Sequence, residues 1–469
     1  MKSARRWAQE SFGGADLGDW RRTQRFVQVM GTVAARPSGR ISDVFRCAAD
    51  RQGAYDFVEH ESVSEEAVLG AVGEAGARAC RGHRQVLVVL DGSSLTLTDW
   101  QASKGFGSIG ARQNATQGLK VMNALALTPQ GEVLGVPTQR YWVRTERAKS
   151  RGYRRVDERE SVHWRRAVDE VSDRCAQLAP QTQLHFIADR EADASLLLRR
   201  ILERGHEFTI RANGTRPLRF GGRRVGLRPW LAQQPSVARM TLRLSAGAAG
   251  RERDACLVLR AARVPLVLRD RHVNEPFVRE LTVVWAREQG RLRAGDRRVE
   301  WMLYTTDRAK RGSDACAVVE RYSRRWRVEE MHRTWKSGAC NVETTQLRSR
   351  QAAVKWASML AAVAARIERL KTLSRTSPEQ PATVELADVE IRALILLKTQ
   401  EKRRNETIPD DTPTISQAVR WIADLGGYVG SKSSGPPGST VIARGLERIT
   451  IAAEILQALE AQALVKKIR

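Results

Sequence analysis

Apolar positions change period several times along the chain, and each change marks an element. From Trp7 to about Ala79 they recur at helical spacing in short runs, broken at Gly13-Gly14, at Pro37-Ser38-Gly39 and in the acidic stretch Glu59 to Glu66. Val86-Leu87-Val88-Val89-Leu90 is then an unbroken apolar run ending at Asp91-Gly92, the pattern of a strand covered on both faces. Further strands are predicted over 95–98, 119–127 and 133–143, with the Gly-rich connection KGFGSIG among them, and an amphipathic helix over 157–178. Leu184 to Ala188 repeats the apolar run ending in an acid, here Asp189, and leads into a helix over 192–204 and a strand over 208–210. Strands and helices alternating in this way predict a mixed α/β layer. Asp91 and Asp189 both fall at predicted strand ends, where open α/β sheets hold their ligands.

Residues 213–300 break that rhythm with alternating segments such as RMTLRLS, ACLVLRAARV and ELTVVWA, which predict an inserted antiparallel β region. Another strand is expected over 301–306, then one long helix over 313–338, capped by Ser313 and stopped by Ser337-Gly338. The remainder reads as helical, with a polar linker near 372–383 and the charged stretch KTQEKRRNE before Pro409. At 469 residues the chain is long enough for about two to four domains.

Charge changes the picture more than composition does. Lys and Arg total 79 against 53 Asp and Glu, a net charge of +26. Such a surface concentrates polyanions, and nucleic acid is the leading partner. The insertion at 213–300 carries 19 Arg, no Lys and 8 acidic residues, more than its share by length. Gly18-Asp19 opens a helix that bears Arg21, Arg22 and Arg25, an arrangement suited to docking a helix end on a phosphate backbone. The cysteines at 47, 80, 175, 256, 316 and 340 lack the spacing of a zinc knuckle or redox dithiol and read as reduced thiols. MKSARRWAQESFGG has no apolar stretch behind its charges, and VKWASMLAAVAARI is too short and too charged to span a bilayer. A cytoplasmic, nucleoid-associated protein without a membrane partner is expected.

At about 100° per residue, a continuous helix over 313–338 would aim Tyr322, Arg325, Glu329, His332 and Lys336 into an arc of roughly 80°. Taken alone, such a face is a solvated salt-bridged surface. Its place after two strands ending in acids gives it a second reading. Asp91, Asp189 and Glu329 form the oxygen-rich set that hard divalent cations need, with cations beside the acid to hold phosphate. Two Mg²⁺ or Mn²⁺ ions held there would suit phosphodiester chemistry. Asp99 is a competing ligand for the first position. Asp193 reads as a helix N-cap and Glu191 as a first-turn partner of the helix dipole.

The stretch RYSRRWRVEEMHRTWKSGA resembles the signature of the DDE transposases of the bacterial insertion-sequence-four group, and within it the Tn-five-like transposases. Tyr322, Arg325, Glu329 and Lys336 fill its four fixed positions. ADLGDWRRTQR, QGAYDFV, ADREAD around Asp189 and LGGYVGSK are similar to the family's other segments, in the same order. The resemblance implies an RNase H-like catalytic core over 71–371 with the β insertion at 213–300. It implies a helical end-binding domain over 1–70 before the core and a helical dimerisation domain over 372–469 after it.

Carried over position by position, Asp91, Asp189 and Glu329 become the metal-binding catalytic triad, and Tyr322, Arg325 and Lys336 contacts to the transposon-end strand. Trp301 falls where the family stacks a tryptophan on a flipped base, or else it is a core residue of its strand. Trp326 stacks in the same area or packs on the sheet, and Arg190 contacts phosphate or pairs with Glu191. Arg21, Arg22 and Arg25 match DNA-contacting arginines of the family. The implied activity is cut-and-paste transposition through a DNA hairpin by a homodimer on double-stranded DNA, with terminal inverted repeats and target DNA as substrates. An RNase H-like nuclease that cuts without joining, and an inactive DNA-binding relative acting as inhibitor, are the alternatives. Trp20, Leu90 and Pro436-Pro437 depart from the family pattern without touching the triad.

Overall fold

The structure is a computed structural model. It describes the chain apart from residues 1–3, 100–102, 110–115, 145–159, 215, 221–222, 245–251, 269–276, 403–407, 409–410, 431–434 and 469. Parts of KGFGSIG, KTQEKRRNE and LGGYVGSK, and the start of the helix expected over 157–178, lie outside the described residues.

Helices α1 (Ala4–Phe12), α2 (Trp20–Ala35), α3 (Ile41–Val44), α4 (Ala48–Glu59) and α5 (Glu65–Arg78) open the chain. Strands β1 (Gln85–Thr96), β2 (Gly107–Ser108), β3 (Gln117–Leu127) and β4 (Val133–Trp142) follow. Then come α6 (Ser161–Leu178), β5 (Gln183–Ala188), α7 (Ser195–Glu203) and β6 (Glu207–Arg211). The insertion holds β7 (Pro217–Phe220), β8 (Arg223–Gly226), α8 (Leu227–Ala232), β9 (Ala238–Leu244), β10 (Arg253–Leu268) and β11 (Phe277–Glu288). After β12 (Glu300–Thr305) the chain is helical: α9 (Gly312–Ser323), α10 (Trp326–Lys336), α11 (Arg350–Thr376), α12 (Asp388–Gln400), α13 (Ile415–Leu425) and α14 (Ser439–Ile468).

These elements divide into two compact units that interleave along the sequence. One comprises 1–81, 92–148 and 329–469, and the other 82–91 and 149–328. Strand β1 gives its first half to the second unit and its last residues to the first.

In the first unit, α11 is the buried axis. The apolar segment that contains Lys355 and Arg366 lies here inside protein, and no described helix is long and apolar enough to cross a membrane. Lys355 Nζ donates to the Val63 carbonyl at 2.8 Å, and Trp356 Nε1 donates to that of Gly39 at 2.9 Å, so α11 collects the loops between the N-terminal helices. Helix α5 crosses β4 where two glycines meet. A Cβ on Gly76 would stand 2.5 Å from the Val136 carbonyl carbon, and one on Gly135 would stand 2.9 Å from Gly76 Cα. Strand β4 runs antiparallel to β3, and β3 neighbours β1.

In the second unit the first half of β1 runs parallel with β5, which runs parallel with β6. Val86 to Leu90 and Leu184 to Ala188 are buried throughout, as strands covered on both faces require. Strand β12 is antiparallel to β6, and β11, β10 and β9 extend the array antiparallel. Three parallel strands, extended by an antiparallel insertion and flanked in sequence by helical termini, make this an RNase H-like α/β core.

Four expectations are corrected. The strand ending at Leu90 and the one over 95–98 are a single strand, β1, so Asp91 lies inside a strand. The strand runs on through Gly92, Ser93 and Ser94 where burial turns mixed, so the end of the apolar run marks a loss of cover and not the end of the strand. The helix over 313–338 breaks at Arg324-Arg325, where amides bond three residues back: Arg325 N to the Tyr322 carbonyl at 3.0 Å and Val328 N to that of Arg325 at 3.1 Å. Ser313 does not cap α9; its N-cap is Arg311, and Asp314 accepts from the amides of Lys310 and Arg311. Asp193 does not cap α7, whose N-cap is Ala194.

Candidate active site

The β1–β5 ladder places two carboxylates together. Its last pair is Leu90 with Ala188, and the next residues on the two strands are Asp91 and Asp189. Parallel neighbours stand about 4.8 Å apart, and Asp189 keeps an extended backbone (φ −80°, ψ −168°), so the side chains emerge side by side. Both are half-buried. Asp189 Oδ1 accepts from Glu191 N at 2.8 Å, closing a single turn over Arg190–Ala192. Arg190 and Glu191 are exposed on that turn. Adjacent oxygen donors within reach of solvent fit a hard divalent cation.

Tyr322, at the end of α9, is buried and meets Trp301 of β12 edge to face, with ring centroids 5.0 Å apart. Burial pushes the Tyr322 phenol above its usual range, and the guanidinium groups of Arg325 and Arg211 oppose that shift. Arg325 hydrogen-bonds the phenol and lies 5.4 Å from the Trp326 ring centre. Trp326 is 42% exposed whereas Trp301 is 8% exposed, so only the former offers an open ring face. The break at Arg324-Arg325 therefore gathers a phenol, a guanidinium and two indoles around one corner of the second unit.

Glu329 belongs to the first unit, in the opening turn of α10. The helix is held from its other side by α11. Trp335 Nε1 donates to the Ala357 carbonyl at 2.8 Å, Thr334 Oγ1 to Glu368 Oε1 at 2.5 Å, and Glu330 pairs with Lys371 at 3.4 Å. Lys336 Nζ lies 3.6 Å from Glu343 Oε1, which also accepts from the amide of Thr96 at 2.9 Å. His332, expected on the same face as Glu329 and Lys336, is buried instead. Its Nε2 is 2.8 Å from Asn123 Nδ2, and Asn123 Oδ1 accepts from Gln139 at 2.6 Å. A helix broken at Arg324-Arg325 cannot keep the single arc that a continuous one would have.

Asp99 accepts from the amides of Ser103 and Lys104, which accounts for its carboxylate. In α2, Asp19 caps the helix by accepting from Arg21 N at 2.7 Å, as the sequence predicts. Arg21 and Arg25 are exposed, and the half-buried Arg22 reaches the Ser62 carbonyl at 3.2 Å.

Sequence reading missed one cluster. His185, Glu207 and Asp307 bring ligand-type atoms within 4.8 Å of one another. His185 Nε2 bonds Thr209 Oγ1 at 2.8 Å, Glu207 accepts from Gln85 at 3.0 Å, and Asp307 pairs with Arg321. Burial lowers the imidazole pKa. His185 of β5 precedes Asp189 by four residues, about 13 Å of extended chain. The sequence signal for it is His185 itself, a polar side chain inside an otherwise apolar run.

Three family models match in order along the chain. Residues 4–63 match transposase DNA-binding, 155–365 the transposase DDE domain and 362–462 the transposase Tn5 dimerisation domain. Asp189 and Glu329 fall inside the second match, and Asp91 lies before it. DNA binding, divalent-metal-dependent strand cleavage and transfer, and dimer formation follow from these three parts. A chain that carries these three parts in this order belongs to the Tn5-like DDE transposases.

Proposed function

We propose that Asp91, Asp189 and Glu329 are the catalytic carboxylates and hold two Mg²⁺ ions, for which Mn²⁺ substitutes. The observation that carries this reading is the pair Asp91 and Asp189, one step past the β1–β5 ladder. When bound, such a pair of cations supplies activation of the attacking oxygen and stabilisation of the leaving one. The protein's part is to hold the DNA strand in line. Arg325 and Lys336 neutralise phosphate, Tyr322 positions the scissile strand through its bond to Arg325, and Arg190 contacts the backbone beside Asp189. Trp326 supplies an open ring for a displaced base, and Trp301, packed edge to face on Tyr322, is the second indole of that corner for stacking. Arg21, Arg22 and Arg25 grip the transposon end through phosphates.

The substrates are terminal inverted repeats and target DNA. Water cleaves one strand and leaves a 3′-hydroxyl, which attacks the opposite strand to close a hairpin. Hydrolysis of that hairpin and strand transfer complete the cycle. The domains are 1–70 for end binding, 71–371 for catalysis with 213–300 inserted, and 372–469 for dimerisation, and the protein works on the cytoplasmic nucleoid. The test is a labelled duplex carrying the inverted repeat beside the gene, incubated with Mg²⁺ or EDTA and resolved on a denaturing gel. Metal-dependent hairpin and joined products are expected, absent in Asp91→Ala, Asp189→Ala and Glu329→Ala while end binding persists. Binding lost in step with cleavage would overturn the metal assignment, and nicks without hairpins would favour a simple nuclease.

A further inference from the structure

Asp193 has a place in this site that its sequence position conceals. Its carboxylate is 2% exposed and fully engaged: Oδ1 accepts from Arg216 Nη2 at 2.6 Å, and Oδ2 accepts from the amide of Asn213 at 2.8 Å. Arg216 also donates through Nη1 to Ser195 Oγ at 2.8 Å. Tyr304 of β12 is fully buried beside the pair, close enough for the charge of Asp193 to add to the effect of burial on its phenol. One guanidinium therefore ties together the residue that ends the turn after Asp189, the first residue of α7 and the chain leaving β6.

A buried ion pair is a poor source of stability, because desolvation offsets most of the attraction. Geometry is the better account of its presence here. The turn Arg190–Ala192 is closed by bonds from Ala192 N to the Asp189 carbonyl and from Asp193 N to the Arg190 carbonyl, both at 3.2 Å, and by the Asp189 side chain on Glu191 N. Those bonds shape the turn without orienting it. The turn continues from β5 at one end, and at the other the Asp193 carboxylate is bonded to Arg216 and to the Asn213 amide.

We infer that Asp193 and Arg216 are positioning residues that hold the Asp189 carboxylate beside Asp91 for metal binding. This rests on the reading of Asp189 as a metal ligand. Outer partners of metal ligands contribute about 10- to 100-fold in metal affinity. Loss of the tether is therefore read as weaker cation binding with unchanged recognition of the DNA end.

The experiment is Mn²⁺ titration of the full chain bound to its inverted-repeat duplex, followed by the free-ion electron paramagnetic resonance signal, with uptake by free duplex subtracted. Duplex affinity and melting temperature are measured in parallel. Asp189→Asn is expected to lose the tight Mn²⁺ site. Arg216→Met is expected to raise its dissociation constant about 10- to 100-fold at unchanged duplex affinity, and Arg216→Lys, which keeps the charge, to recover part of the loss. Where Arg216→Met does not fold, Arg216→Lys carries the test with a weakening of several-fold. Wild-type Mn²⁺ affinity in the Arg216 variants, with the site lost in Asp189→Asn, overturns the tether alone. A site unaffected by Asp189→Asn overturns the ligand assignment and the tether with it.

Discussion

Glu368 and Lys371 anchor the helix that carries Glu329, and their energetics are open to a sharp test. Glu368 is completely buried on α11, where it accepts from Thr334 Oγ1 of α10 and pairs with Lys371, itself 8% exposed. Lys371 also reaches Glu330 of α10 at 3.4 Å. Removing one partner of such a pair leaves a desolvated charge and costs about 3–5 kcal/mol, whereas removing both together is close to neutral. Glu368→Gln and Lys371→Met are each expected to destabilise the first unit by about that amount. In the double variant the lost charges offset one another, and what remains is a weakened Thr334 bond, worth about 1 kcal/mol, and the absence of the more exposed Lys371–Glu330 pair. The expected coupling energy is thus about 3 kcal/mol or more, well above the ~0.5 kcal/mol seen for independent sites. Urea unfolding followed by the fluorescence of the buried Trp335 and Trp356 measures it. Additive losses in the double variant would refute the claim that these two charges depend on each other for burial.

Other consequences can be checked with less effort. Because burial holds His185 below its unfolded pKa of 6.5, its contribution to stability is fully present above that pH and is lost as pH falls toward the folded value. Urea midpoints should fall from pH 7 to 5 in the wild-type chain and fall less in His185→Gln. Asp19→Ala removes the cap of α2 and is expected to lower stability by about 1 kcal/mol, seen as a lower melting temperature. Gly76→Ala drives a methyl into the Val136–Pro137 backbone and is expected to cost about 1–3 kcal/mol or more by the same assay. Arg21→Gln and Arg25→Gln should each weaken binding to every duplex and flatten its dependence on salt by about one unit of slope for each phosphate left unneutralised, read by titration at several salt concentrations.

The strands of the core and the two acids after their apolar runs were legible because continuous burial leaves a continuous apolar run. Asp91 and Asp189 needed only that pattern. The break at Arg324-Arg325 was not legible. RYSRRWR contains neither glycine nor proline, and the change of hydrogen bonding there accompanies tertiary contacts of Tyr322 with Trp301 and Arg325. The same limit hid His332, whose side chain is committed to Asn123, a residue distant in sequence. Asp193 was misread for a related reason. An acid just before a helix is a good cap in the absence of a stronger partner, and Arg216, 23 residues on, is that partner. Local rules foresee what neighbours in sequence decide, and these three side chains are decided from elsewhere.

The bonds from α11 to the N-terminal loops bear on how the protein is made. Lys355 meets Val63 across 292 residues, and Trp356 meets Gly39 across 317. At about 5–20 residues per second, a ribosome that has finished the first helices takes roughly 15 to 60 s more to deliver the segment that covers them. Throughout that interval Phe12, Phe26 and Met30, all fully buried in the finished chain, depend on the short helices around them for shelter. The nascent N-terminal part thus waits through that interval with its bonds to α11 unmade. A message cut short before α11 yields a product that lacks these anchors.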